Sequence, residues 1–561
     1  MERIYISYNK WKKFFFINLC VSIFTYFMLI SLQLLNQLDG IWHYGYGGAG
    51  NWERGLGRWV WPYLDEFRFG LLTEPFCNVL ALCIFILGNI ILFEIIDFEP
   101  NQFRTYVVSC MILITTSVCT WLSFRYTSDT FATAYFMAVL TVYFCRCDLN
   151  IGIIEKYSRT KSEFIKDILS VILASLSLMI SLGCYQAFFD STCLILLVSF
   201  MLMLYKNEEA STLIKYFIKA IISIFVGAIL YFIGMKITFM NHGIEQLSSY
   251  NEGDSLGLGN TILKIPETIG KTIYYFNQYF FNTMFRWNRL QEHLAFQLLF
   301  FGLIIVALIV AIVRIAKKNV VYAVLFTICA LLLPIATNIV LFMATESFLS
   351  IQMTNGLAMF VAVAFVLVFE ILVERNKDKT ETDLLSKDNS LAKEKASINK
   401  KFNIRQIVSV IVVIVSIITI YGNYVSTQID QEACREGRTG TITIASEILD
   451  SLKNLGYADR GGSVCFVGTP CGNERFMYSE IYPMANELMQ FGNWGNAAST
   501  HGQTWMGIYR EYLGYFVEPC TNDEYEAIVA RDDVAAMPMY PRAGSITEID
   551  GIIVVKVSNN Y

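Results

Sequence analysis

The chain has 561 residues, of which 55% are apolar, 15% aromatic and only 16% charged, and its mean hydropathy is positive at +0.47. That is too apolar for a soluble globular domain and makes a bilayer the natural solvent. A formal net charge of -5 supplies no global basic field, so nucleic acid is excluded as an expected partner.

From the N-terminus, MERIYISYNKWKKFFF is basic and then apolar; the run 14–35 can span and has no small-residue cleavage site, so a retained helix is expected. Further runs near the roughly 20 residues that a bilayer requires lie at 76–96, 105–124, 130–145, 168–187, 190–205, 216–239, 294–313, 320–343, 355–373 and 406–426. The expected fold class is therefore a polytopic α-helical membrane protein with about 11 transmembrane helices.

With the N-terminus inside, Lys10, Lys12 and Lys13, then Arg146 to Lys166, Lys206 to Lys219, Arg314 to Lys318 and the Lys-rich 374–405 linker all fall on the cytoplasmic side. The positive-inside rule then places the loops 36–75 and 241–293 and the C-terminus outside.

After residue 427 the pattern changes from spanning helix to soluble α/β. TITIASEILDSLKNLG has helical spacing, SVCFVG reads as a strand, Thr521 and Glu524 form a capping box, and Asp550-Gly551 joins two β-rich runs in a hairpin. The expected organisation is 1–426 as the membrane domain and 427–561 as a small extracytoplasmic α/β domain. Ten of the fourteen cysteines lie in apolar stretches as packing residues, while Cys434, Cys465, Cys471 and Cys520 fall in the C-terminal part, where a disulfide is permitted without its pairing being fixed. With only His43, His242, His293 and His501 and no CxxC or HExxH, no metal site is read.

Two motifs carry no chemistry. Gly270-Lys271-Thr272 lacks the first P-loop glycine, whose place is taken by Ile265, and Gly45, Gly47, Gly48 and Gly50 follow no strand, so they read as a flexible loop. The first long loop is different, because it gathers Asp39, Glu53, Arg54, Arg58, Asp65, Glu66 and Arg68 among four tryptophans. A carboxylate there can deprotonate a hydroxyl, arginines can hold a phosphate by paired hydrogen bonds, and tryptophans can stack on a sugar or sit at the interface. The plainer reading is an interfacial helix with snorkelling arginines. Arg125 lies with Asp129 in FRYTSD between two apolar runs, as a second phosphate ligand or half of an interfacial ion pair.

In this loop, with Asp39 after the first helix and Gly57-Arg58-Trp59 downstream, the chain resembles the bacterial polytopic O-antigen glucosyltransferases of the serotype-converting type II family. Tyr185-Gln186-Ala187 and the ending MPMYPRAGSITEIDGIIVVKV fit the same family. Where family members often carry adjacent acidic residues, this chain has Asp39-Gly40, and Glu53 is the nearest substitute.

The resemblance implies a GT-C-like hexosyltransferase of the bacterial cytoplasmic membrane that takes a sugar, typically glucose, from polyprenyl phosphate and adds it to a surface glycan. It implies roles for Asp39, as catalytic base, and for Arg58, Trp59, Tyr185 and Gln186 in substrate binding; the charge pattern adds Glu53, Arg54 and Arg125 as expected substrate-binding residues. It also implies the lipid-linked sugar as donor in place of a cofactor, with membrane lipids and a small membrane flippase as partners. The competing class is a lipid-linked sugar flippase or other multi-pass transporter, against which stand the absence of an internal repeat and the concentration of charges in loops.

Overall fold

Apolar segments that must satisfy their own backbone in lipid form helices, and each of the eleven expected runs carries helix in the computed structural model of the chain. The structure describes residues 2–36, 39–43, 45–147, 159–244, 264–343, 349–373, 404–457, 461–476, 478–495 and 498–559. Of the expected 374–405 linker, residues 374–403 lie outside the described residues.

Seven helices among the described residues are long and apolar enough to cross a membrane, or eight if one bent pair counts as a single span. The expected eleven is therefore too many by this measure, for local reasons. The run 14–35 breaks at Tyr26, between α1 (Glu2–Thr25) and α2 (Phe27–Ser31). The run 105–124 bends by 51° between α7 (Phe103–Leu113) and α8 (Thr116–Ser123). These two breaks support each other, because the Tyr26 hydroxyl donates to Leu113 O at 2.7 Å and accepts from Thr115 N–H at 3.3 Å. The helix Val320–Ala336 stops short, before a 3₁₀ turn over Ile339–Phe342.

In the first half of the bundle, α9 (Ser128–Arg146) packs between α6 (Phe76–Ile95) and α10 (Arg159–Cys184), and α10 packs on α12 (Ala210–His242); α11 spans Phe189–Lys206. At the end of α6, Lys10 pairs with Glu94 at 2.9 Å, Lys206 with Asp97 at 2.9 Å, and Arg146 with Glu208 at 2.7 Å. These basic residues thus gather at the end of the bundle opposite the first long loop, from which α6 starts.

The boundary expected at 426/427 falls inside one helix, Ile404–Asn454, of 51 residues. It continues past its apolar part because its polar residues meet backbone groups freed at the Tyr26 break. Gln428 and Gln431 donate to Thr25 O at 2.9 and 3.0 Å, and Gln431 Oε1 accepts from Leu29 N–H at 3.0 Å. Beyond it, β3 (Val464–Val467) runs parallel to β5 (Ile552–Lys556), which pairs antiparallel with β4 (Ile546–Ile549). The turn at Asp550-Gly551 has both residues at positive φ, as a tight hairpin requires, and the Thr521–Glu524 capping box is formed.

The helix Ala498–Leu513 lies between this sheet and the first loop. Its Gly507 meets Ile41 so closely that a Cβ would overlap it, and Thr504 accepts from Trp42 Nε1 at 3.1 Å.

Candidate functional site

The first loop is pinned where a flexible glycine-rich segment was expected. β1 (Gly45–Tyr46) pairs antiparallel with β2 (Leu71–Leu72), closing the loop at its base. Asp65, on α5 (Trp61–Phe67), accepts from Ala49 N–H at 2.5 Å, so a carboxylate holds the glycine stretch down. Arg68 is buried; it bonds Asp65, donates to Asp129 at 2.5 Å, and reaches the Tyr126 carbonyl at 2.8 Å. Asp65, Arg68 and Asp129 form a hydrogen-bonded frame.

Within that frame a second charged group assembles. Asp39 opens the short α3 (Asp39–Trp42), and Asn36 Oδ1 fixes the turn by accepting from Gly40 N–H at 3.0 Å. His43, four residues on and so on the same helical face, stacks on Tyr126 with ring centroids 4.1 Å apart and points Nε2 at Glu53 Oε1, 3.9 Å away. Glu53, on α4 (Asn51–Gly55), is buried and also accepts from Gly50 N–H at 2.6 Å. Burial raises the Asp39 carboxyl above the usual carboxylate range; His43 and Arg58 oppose that shift, and Glu53 adds to it.

Arg58 completes the group by lying over the Tyr185 ring, 4.8 Å from its centroid, with its Nε buried and without a hydrogen-bond partner among the described residues. Two contacts set its backbone. Gly57, at φ +78°, leaves no room for a Cβ against the Tyr231 hydroxyl and Gln186, and Gln186 Nε2 donates to Leu56 O at 2.8 Å and to Tyr231 at 3.0 Å. Next to it, Trp59 is a wedge rather than an open stacking platform. Its indole occupies the space left by Gly183 on α10 and Gly234 on α12, in an apolar cluster with Leu178, Leu182 and Tyr231.

The structure thus brings together Asp39, Glu53, Arg58, Tyr185 and Gln186. Arg54 stands apart, with Nη1 3.4 Å from Asn51 Oδ1 on its own turn. Arg125 is buried in a neighbouring position, donating to Gln33 at 3.4 Å. It faces Glu74, whose carboxyl is pushed up to about 7 by burial, with Arg125 and the Asn78 N–H opposing.

Sequence reasoning missed His43, Tyr126, Tyr231 and Glu74. For His43 the signal was present in the four-residue step from Asp39; for Tyr231, inside a long apolar run, there was none. Among the described residues no group of three or more His, Cys, Asp or Glu side chains is placed to hold a metal ion.

Chemically, the cluster offers a half-buried carboxylate of raised basicity and a guanidinium held over an aromatic face with hydrogen-bonding capacity unused among the described residues. A family model described as Glucosyl transferase GtrII matches residues 12–369, a segment that contains the whole cluster and ends before the long helix. No curated protein matches the chain, and no solved structure does.

Proposed function

Since the chain belongs to the GtrII glucosyl transferase family and is a membrane glycosyltransferase, we propose that it moves glucose from a polyprenyl-phosphate donor to a surface glycan, outside the cytoplasmic membrane. The observation that carries this reading is the meeting of Asp39 and Arg58 in one cluster, with a base on one side and an anion ligand on the other.

In this reading the acceptor hydroxyl attacks the anomeric carbon, its proton passes to the Asp39 carboxylate, and the carbon–oxygen bond to the lipid phosphate breaks. Arg58 stabilises the charge that develops on the departing phosphate. Glu53 holds His43 and the α4 turn instead of touching the sugar, Tyr185 supports Arg58, and Gln186 fixes the Leu56–Gly57 backbone. Arg125 is a second phosphate ligand. Arg54 and Trp59 act through the local fold.

A membrane-embedded donor accounts for an enzyme of this many apolar helices, and the gathering of basic residues at the far end of the bundle supports placing the first loop outside. A small flippase delivers the donor to that side.

The test is transfer of radiolabelled glucose from synthetic glucosyl polyprenyl phosphate to purified acceptor glycan by membranes containing this chain. The expected result is label in the glycan, lost with Asp39→Asn. Transfer from a nucleotide sugar but not from the lipid donor would overturn the donor assignment.

A further inference from the structure

We infer that Cys465 and Cys520 are joined by a disulfide bond in the mature protein. Cys465 is the second residue of β3 and is fully buried. The segment carrying Cys520 runs beside it: Val464 N–H donates to Glu518 O at 2.8 Å, Cys520 N–H donates to Val464 O at 3.1 Å, and Val464 pairs with Pro519 in a parallel bridge.

One residue along from that bridge, Cys465 and Cys520 stand side by side with their side chains on the same face. Neighbouring strands lie about 4.7–4.9 Å apart, inside the roughly 4.4–6.8 Å between Cα atoms that a disulfide spans. Both side chains enter one apolar cluster with Tyr525, Ile528 and Val554, and the two thiols lie close enough to bias each other's ionisation.

The other two cysteines of this region are committed elsewhere. Cys434, on the long helix, donates to Leu35 O at 3.1 Å, and Cys471 donates to Asn493 Oδ1 at 3.3 Å. The pairing that the sequence leaves open among four residues is thereby reduced to one.

Cys520 is the more exposed thiol, and its contact with Cys465 holds its pKa below the ordinary thiol value, so it is the one that reacts first. Its thiolate attacks the disulfide of an extracytoplasmic thiol–disulfide oxidase and displaces one oxidase thiol; Cys465 then attacks the mixed disulfide and displaces the second. The two cysteines lose two protons and two electrons, one S–S bond forms between them, and the oxidase disulfide is reduced to two thiols.

The bridge fastens β3 at the point where it supports the site's covering helix. Phe466, the next residue, carries the carbonyl 2.8 Å from His501 Nε2 on Ala498–Leu513, the helix that packs on α3.

This inference rests on the proposed outward placement of the C-terminal region, because disulfides persist in oxidising compartments. The test is non-reducing peptide mapping of the full-length protein from alkylated membranes. Trypsin should yield residues 461–475 linked to 511–531, a pair that separates on reduction, persists in Cys471→Ser and is lost in Cys465→Ser. Recovery of both Cys465 and Cys520 alkylated without reductant overturns it. A parallel Tyr478→Cys probe, at a position 91% exposed, reports orientation through labelling of intact cells with an impermeant maleimide. An alkylated pair with a labelled probe removes the bridge and leaves the orientation standing; an alkylated pair with an unlabelled probe removes both.

Discussion

The first loop contributes to two charged groups built from the same residue types, and they are assembled differently. In Asp65–Arg68–Asp129 the guanidinium donates to both carboxylates and to the Tyr126 carbonyl, and all three side chains are buried. In Asp39–Glu53–Arg58 the guanidinium lies over the Tyr185 ring and makes no hydrogen bond among the described residues, and Asp39 keeps a raised carboxyl pKa. Nε is unpaired in both arginines among the described residues, but the terminal nitrogens of Arg68 are spent on two carboxylates and a carbonyl and hold structure, whereas those of Arg58 make no hydrogen bond to a described residue and are left for a ligand. The difference teaches that the frame keeps the loop rigid so that the second group can remain unsatisfied, which is the arrangement a preorganised site requires.

The largest effect expected from that contrast comes from Asp39→Asn. It keeps size and removes basicity, so glucose transfer at saturating donor and acceptor should fall by about 10²–10⁴-fold while the amount of inserted protein stays the same. Near-normal turnover in the correctly inserted variant would remove Asp39 from the reaction.

Arg68→Met should break the comparison from the other side. It strands two buried carboxylates, a change that costs about 3–5 kcal/mol in well-formed buried pairs, and should appear as lost folded protein and a lowered thermal midpoint in detergent. If Arg68→Met instead inserted and melted like the parent while losing only transfer, the frame would belong to the site.

Asp39 and Arg58 were legible in the sequence because a carboxylate directly after a spanning run and an arginine among tryptophans are unusual where charge is costly. Arg58 and Arg68 could not be told apart there, since their roles are set by partners on other elements: Tyr185 for one, Asp129 for the other. Trp59 read as a sugar platform because Gly183 and Gly234, which receive its ring, lie far along the chain. The boundary at 426/427 was drawn where hydropathy falls, but the helix is continued by Gln428 and Gln431 bonding to the broken first helix, and hydropathy does not record such contacts. The C-terminal strand, capping box and hairpin were legible because they depend on adjacent residues.

The smallest effect is the most discriminating. If Asp39 must be ionised to accept the acceptor's proton, kcat/KM falls as pH drops through its pKa, and burial places that acid limb above the usual carboxylate range. Arg58 favours the ionised form and Glu53 disfavours it. Arg58→Gln removes the cation, so the carboxyl becomes harder to ionise and the acid limb should move to higher pH. Glu53→Gln removes a like charge but retains an amide oxygen to accept from Gly50 N–H, so the limb should move to lower pH with the α4 turn preserved. Both variants lower the maximum rate to some extent; the position of the limb is the readout, because a merely structural loss scales the whole profile without displacing it. Opposite displacements measured in pH profiles of kcat/KM would tie the titrating group to the space between Arg58 and Glu53. A limb that stays in place in both variants would mean that the base is another carboxylate, and Glu74, beside Arg125 with its carboxyl near 7, would be examined next by the same pair of measurements on Glu74→Gln and Arg125→Gln.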